Sequence, residues 1–145
     1  MRAMLQRVTE ASVTVDGVIT GAIDHGLLVL LGVDKDDNQQ AACKLVDKLL
    51  AYRVFADDEG KMNRSVSDIQ GDVLIVSQFT LSADTRKGLR PSFSSAAAPA
   101  LASELYDYVV EYARSKHDSV TTGVFGANMQ VQLTNDGPVT FLLES

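Results

Sequence analysis

The fold class predicted by the sequence is a single α/β domain, with two amphipathic helices packed against a mixed β-sheet system. Three observations carry that prediction. The runs LLVLLGV (27–33) and DVLIV, the first half of DVLIVSQFTL (72–81), are apolar without interruption and of strand length, as in strands covered on both faces. Two longer stretches keep their apolar residues at helical spacing. Hairpin chemistry near both ends of the chain argues against a doubly wound parallel sheet.

The elements follow in order. MLQRVTEASVTV has strand character, with Val8, Val13 and Val15 among polar neighbours. Asp16-Gly17 between Val15 and Val18 is a two-residue hairpin signal, because both residues tolerate the positive φ of a type I′ turn. The returning strand runs from about Val18 to Ile23, and His25-Gly26 turns the chain into the first apolar run. Asp36, Asp37 or Asn38 can cap a helix reaching about Tyr52, whose apolar positions 42, 45, 46, 49 and 50 share one face. A polar turn, ADDEG, precedes KMNRSV, and the second apolar run begins at Asp72. SADTRKGLRPSFSS is polar and turn-rich, which predicts a surface loop. Pro99 suits the first turn of a second helix with Leu101, Leu105, Tyr108, Val109 and Tyr112 on its apolar face. Strands are expected at about 119–124, 129–134 and 139–143, with TNDGPVTF as a stiff bend between the last two. Nothing resembling a linker or repeat divides residues 1–145, so one domain is expected.

Composition narrows the function classes. With 145 residues, 46% of them hydrophobic and 22% charged, the chain buries a core without staples. One cysteine and two histidines are too few for most metal sites, and no cofactor signature is present: no Walker loop, GxGxxG, CxxC or HExxH. The lone cysteine, the lack of a charged-then-apolar leader and the lack of a membrane-length apolar run make the cytoplasm the expected location, with no membrane partner. A net charge of −6 opposes DNA and other polyanions on average, so a nucleic-acid partner needs a local basic patch. Cys43, beside a helix's apolar face, reads as a buried thiol. His25 and His117 read as structural, and Asp34, Asp36 and Asp37 as a solvated helix start.

Two places carry chemistry. In Ser77-Gln78-Phe79-Thr80-Leu81 an apolar strand turns polar at its C-terminal end, where α/β sheets often meet ligands. Hydroxyl and amide groups there suit ligand hydrogen bonds, and Phe79 offers a stacking face; a strand simply leaving the core fits equally well. In DTRKGLRPSF, Arg86, Lys87 and Arg90 stand near Phe93, a pattern that suits phosphates and an unstacked base, although a charged loop taken alone is more often merely solvated.

Three segments extend the reading. MRAMLQRVTEASVTVDG, SQFTLSADTRKGLRPSF and TGVFGANMQVQLTNDGPVTF together resemble the bacterial-type D-aminoacyl-tRNA deacylases over essentially the whole chain. SQFTL combined with NDGPVT is highly specific; either alone is weaker. The resemblance implies a single compact domain with mixed and antiparallel sheets, layered and barrel-like, packed with two main helices. It implies a metal-free homodimer, without cofactors, that hydrolyses the ester joining a D-amino acid or glycine to the 3′-terminal adenosine of tRNA. It also implies that Gly137-Pro138, with a cis bond, reaches into the partner's site and excludes L side chains by collision, supported by Arg7. Ser77, Gln78, Phe79 and Thr80 then form the catalytic segment, Phe125 and Met129 flank the adenosine, and Arg86, Lys87 and Arg90 face the tRNA backbone.

No histidine, lysine or carboxylate is evidently placed to activate Thr80. Water attack assisted by the ribose 2′-hydroxyl, with backbone amides near Phe79 and Thr80 holding the oxyanion, is therefore preferred to a Thr80 nucleophile. Ser82, Leu89 and the terminal FLLES depart from the family pattern without touching either signature. A general esterase using Thr80 and a non-catalytic RNA-binding module are the rival readings.

Overall fold

The computed structural model describes residues 1–86 and 88–145. Strands β1 (Arg2–Val15) and β2 (Val18–Ile23) form the first hairpin, and β3 (Gly26–Gly32) completes the N-terminal third. Asp16 and Gly17 take φ of +50° and +79°, the positive pair that a type I′ turn requires. Asn38 caps α1 (Gln39–Ala51) by accepting the Ala41 N–H at 3.0 Å. The short strands β4 (Phe55–Ala56) and β5 (Met62–Arg64) form a separate ribbon. β6 (Asp72–Ser77), α2 (Pro99–Lys116, with proline in its first turn), β7 (Val120–Thr122) and β8 (Gln130–Glu144) follow.

The 14-residue β1 organises the sheet. β8 pairs along one of its edges from Arg2 to Thr14; the other edge is shared by β3, opposite Arg2 to Val8, and β2, opposite Ala11 to Val15. β3, β6 and β7 are parallel neighbours, and α1 and α2 lie in the crossovers that parallel pairing demands. β2 and β7 stand at opposite ends of the strand order, yet they approach closely. A Cβ on Gly21 of β2 would lie 2.5 Å from the Thr122 carbonyl oxygen, so the sheet curls nearly into a barrel.

That curl explains the two apolar runs. Leu27, Val29 and Leu31, with Val73 and Ile75, face the helices and join Leu45, Leu49, Leu105 and Val109. Leu28, Leu74 and Val76 face the barrel interior with Val8, Val13 and Ile23. Both faces are covered, so alternation disappears from the sequence.

Three expectations need correction. The strand expected over 72–81 ends at Ser77, and Phe79–Ser82 is a 3-10 turn. The ladder runs out there, since β3 ends at Gly32 and β7 pairs only with Val73, Leu74 and Ile75. The two final strands are one, β8, because β1 is long enough to pair with both halves. TNDGPVTF is thus a bulge within a strand rather than a bend between strands. Cys43 is half-buried, its sulfur 3.4 Å from the Tyr108 hydroxyl. Both histidines are structurally engaged: His117 Nε2 lies 2.7 Å from the Gly71 carbonyl, and His25 meets the Phe55 ring edge-on.

Candidate active site

The turn after β6 is built on the end of β3. Ser77 pairs with Leu31, and the Gln78 N–H donates to the Leu31 carbonyl at 2.7 Å before the backbone coils. Leu81 N–H then closes on the Gln78 carbonyl at 3.2 Å and Ala83 N–H on that of Thr80 at 3.1 Å. Gly32 permits this close approach: a Cβ there would be 3.0 Å from Leu81 Cβ and 3.2 Å from the Gln78 carbonyl oxygen. The N–H groups of Phe79 and Thr80 have no acceptor among the described residues. Phe79 is 60% exposed. Gln78 Nε2 donates to Thr80 Oγ1 at 2.5 Å, and this amide is the only hydrogen-bond partner of the Thr80 hydroxyl among the described residues. An amide NH₂ is a donor, so it cannot take that hydroxyl's proton.

Behind the turn lies a cavity of about 350 Å³ with mostly apolar walls. Leu31 and Val33 supply one wall, Ala97, Pro99, Ala102 and Tyr106 another, and Phe125, Gly126, Ala127 and Met129 a third; Ser77, Gln78 and Phe79 edge it. Phe125 leans on Tyr106 with ring centroids 5.6 Å apart. Met129 Sδ accepts the Val124 N–H at 3.3 Å and fills the space where a Cβ on Gly123 would lie, 2.7 Å away. Tyr106 donates to the Ile75 carbonyl at 2.8 Å, and burial pushes its hydroxyl pKa up to about 12. It is therefore a neutral wall. The structure thus brings Ser77, Gln78, Phe79, Phe125 and Met129 around one cavity, with Thr80 beside it on the solvent side.

The basic loop flanks the same mouth. Asp84 and Ser92 close it by a two-way backbone bridge, and Phe93 packs on Phe79 at 5.0 Å. Arg86 forks onto Asp84 at 2.9 and 2.7 Å, so its charge is offset within the loop. The guanidinium holds the Asp84 carboxyl well below the usual carboxylate range. Arg90 is exposed, and Lys87 lies outside the described residues.

The second feature is the bulge in β8. Between the pairs Gln6–Thr140 and Val8–Asn135, Arg7 stands opposite the inserted residues. Arg7 Nε donates to the Asp136 carbonyl at 2.9 Å and lies 3.5 Å from the Asp136 carboxylate; its Nη1 donates to the Val54 carbonyl at 2.6 Å. Asn135 Oδ1 accepts the Val139 N–H at 2.7 Å, and its amide donates to the Val139 carbonyl at 3.3 Å. Gly137 has φ of +148°, a conformation that favours glycine, and the Gly137–Pro138 bond is cis. Both residues are exposed.

The cavity and the corner do not meet within one chain. Arg7 is level with Leu27 of β3, whereas the cavity begins at Leu31, four residues and about 13 Å further along the strand. Sequence reasoning missed Tyr106, Asn135 and the Val54 carbonyl. The only available signal was Asn135 within the Asn-Asp-Gly turn chemistry; Tyr106 looks like any aromatic on a core-facing helix stripe.

The α/β near-barrel thus carries an apolar, ligand-sized cavity rimmed by a turn whose Phe79 and Thr80 N–H groups have no acceptor among the described residues. The chain belongs to the D-Tyr-tRNA(Tyr) deacylase family, whose model matches residues 4–144. It is 63% identical over 145 residues to a D-aminoacyl-tRNA deacylase of Stutzerimonas stutzeri and 61% identical over 145 residues to one of Pseudomonas aeruginosa, covering 100% of each chain. A solved structure described as c-Myc DNA Unwinding Element Binding Protein superposes with a TM-score of 0.96 at 44% identity, covering 100% of this chain and 99% of that one. A probable eukaryotic D-amino acid tRNA deacylase superposes at 0.85 with 20% identity, over 99% and 98% of the two chains, and shares the fold.

Proposed function

We propose that this chain, acting as one domain over residues 1–145, hydrolyses the ester of D-aminoacyl-tRNA and releases a free D-amino acid. The family and its relatives' names support the reaction class. The observation that carries the mechanism is the turn at Gln78 to Thr80: unused N–H donors, no base on Thr80 and an apolar cavity alongside. The terminal adenosine enters the cavity and packs against Phe125, Met129 and Phe79. The ester carbonyl then meets the Phe79 and Thr80 amides, which stabilise the oxyanion as charge develops. Water attacks, with the ribose 2′-hydroxyl assisting proton transfer. An activated ester tolerates a site without a triad.

Chirality is read at Gly137-Pro138. Its exposure and its distance of about 13 Å along the strands from its own cavity favour a homodimer, in which each corner closes the partner's site. The corner's carbonyls face the α-amino group, and the backbone leaves no room for an L side chain. Glycine has nothing to exclude, so glycyl-tRNA is also a substrate. Arg7 holds the corner through its two carbonyl contacts. Arg90 and Lys87 approach the tRNA backbone; Arg86 contributes less, being forked onto Asp84. We place the activity in the cytoplasm, where tRNA is charged; among the described residues no helix is long and apolar enough to cross a membrane.

Incubating the purified protein with D- and L-tyrosyl-tRNA tests the reading. Selective loss of the D ester supports it, equal loss of both favours a Thr80 esterase, and binding without turnover favours an RNA-binding module.

A further inference from the structure

We propose that Arg2 is a positioning residue for the hydrolytic turn, acting through the carbonyl of Leu81; the inference rests on the deacylase reading above. The Phe79–Ser82 turn follows the end of β6, beyond the ladder. Its outer side is exposed at Phe79 and Thr80, so the contacts on its inner side set its orientation. Arg2 stands on β1 directly opposite Gly32, the glycine over which the turn packs. Its Nη1 donates to the Leu81 carbonyl at 3.1 Å, while its Nε donates to Asp34 Oδ2 at 3.2 Å. Glu144 of β8 lies 3.7 Å from the same Nε, on the far side of β1. Ser95 adds a hydroxyl bond to the Ser82 carbonyl.

Leu81 is thereby fixed at both polar groups, its N–H on the Gln78 carbonyl and its C=O on Arg2. The peptide units just before it carry the Phe79 and Thr80 donors. A guanidinium does this with a fixed geometry: its rigid fork holds Asp34 and Leu81 at a set angle, whereas the rotatable donors of a lysine ammonium impose no such angle. Arg2 touches no reacting atom, so its effect appears in the orientation of the donors rather than in substrate binding.

The test compares Arg2→Ala, Arg2→Lys and a control, Arg64→Ala, which removes an exposed ion pair with Asp58 on the β4–β5 ribbon. Amide hydrogen exchange is read at Leu81 and Ala83, the two amides that close the turn. Arg2→Ala is expected to speed exchange there about tenfold while the α1 amides keep their protection. On D-tyrosyl-tRNA, its kcat is expected to fall about 10- to 100-fold with KM within twofold, with partial recovery on adding guanidinium ion and only partial activity in Arg2→Lys. Unchanged exchange at Leu81 and Ala83 overturns the proposal, as does faster exchange spread across the whole chain, which marks a general structural role. Full activity in Arg2→Lys overturns it as well, since the fork would then be dispensable. If the unmodified protein does not hydrolyse the D ester, the deacylase reading fails, and the exchange measurement still decides whether Arg2 orders the turn.

Discussion

Replacing Arg7 by alanine separates the corner's stability from its selectivity. The side chain is 15% exposed and donates two hydrogen bonds, to the Asp136 and Val54 carbonyls at 2.9 and 2.6 Å. Bonds from a charged donor contribute roughly 1.5–3 kcal/mol each, and water re-entering this half-open site recovers part of the loss. A destabilisation of about 3 kcal/mol results, which for a chain of this size lowers Tm by about 6–12 °C. The effect on selectivity is separate. Without Arg7 the bulge keeps, among the described residues, the Asn135 side-chain contacts with Val139 and Thr140, and the wall proposed to face the substrate is expected to loosen. Hydrolysis of L-tyrosyl-tRNA is then expected to rise at least about tenfold relative to the D ester. Melting curves and single-turnover deacylation of both enantiomers measure the two effects. A lowered Tm with an unchanged D-to-L ratio refutes the claim that Arg7 organises the filter, and an unchanged Tm refutes the energetics of the two bonds.

Other substitutions probe neighbouring links. Gly137→Ala places a Cβ 2.6 Å from Val139 Cγ2 and 2.8 Å from its nitrogen, at φ of +148°; a cost of about 1–3 kcal/mol and a displaced corner are expected, read as reduced D-ester turnover. Thr80→Ala is expected to retain activity within about tenfold, because among the described residues its hydroxyl meets only the Gln78 amide; near-complete loss in a folded protein restores the nucleophile model. Tyr106→Phe tests the buried hydroxyl. Its folded pKa of about 12 lies above the ordinary value near 10, so its stabilisation is full below pH 10 and drains away toward pH 12. Urea titrations across that window should show a steeper decline in the parent than in the Tyr106→Phe protein. Replacing Lys87 and Arg90 by alanine should reduce the salt slope of tRNA binding by about one per residue, and an unchanged slope removes the loop from the interface.

The parts of the fold written in local chemistry were legible in the sequence. Asp16-Gly17 names its turn because positive φ is a property of those residues, and Asn38 and Pro99 mark helix starts for equally local reasons. Leu27 to Val33 announces a doubly covered strand because both faces exclude water. The turn at Phe79–Ser82 was hidden because Phe79, Thr80 and Leu81 have strand propensity, and only the end of the ladder at Gly32 stops them. The unity of β8 was hidden because Asn-Asp-Gly-Pro looks like a loop; a long partner in β1 and the Asn135 side chain keep it within a strand. The proposed site divides in the same way. Ser77 to Thr80 and Gly137-Pro138 stand out by motif, whereas Tyr106 and Arg2 make their contacts with partners 31 and 79 residues away in the chain, the Ile75 and Leu81 carbonyls.

The proposed chirality filter is measured most directly by one ratio, the rate of ester hydrolysis for D-tyrosyl over L-tyrosyl on the same tRNA. A backbone wall that collides with an L side chain costs that enantiomer about 3 kcal/mol, so the predicted ratio is roughly 100 or more. A ratio near one contradicts the account, because no filter would then stand between the cavity and the substrate.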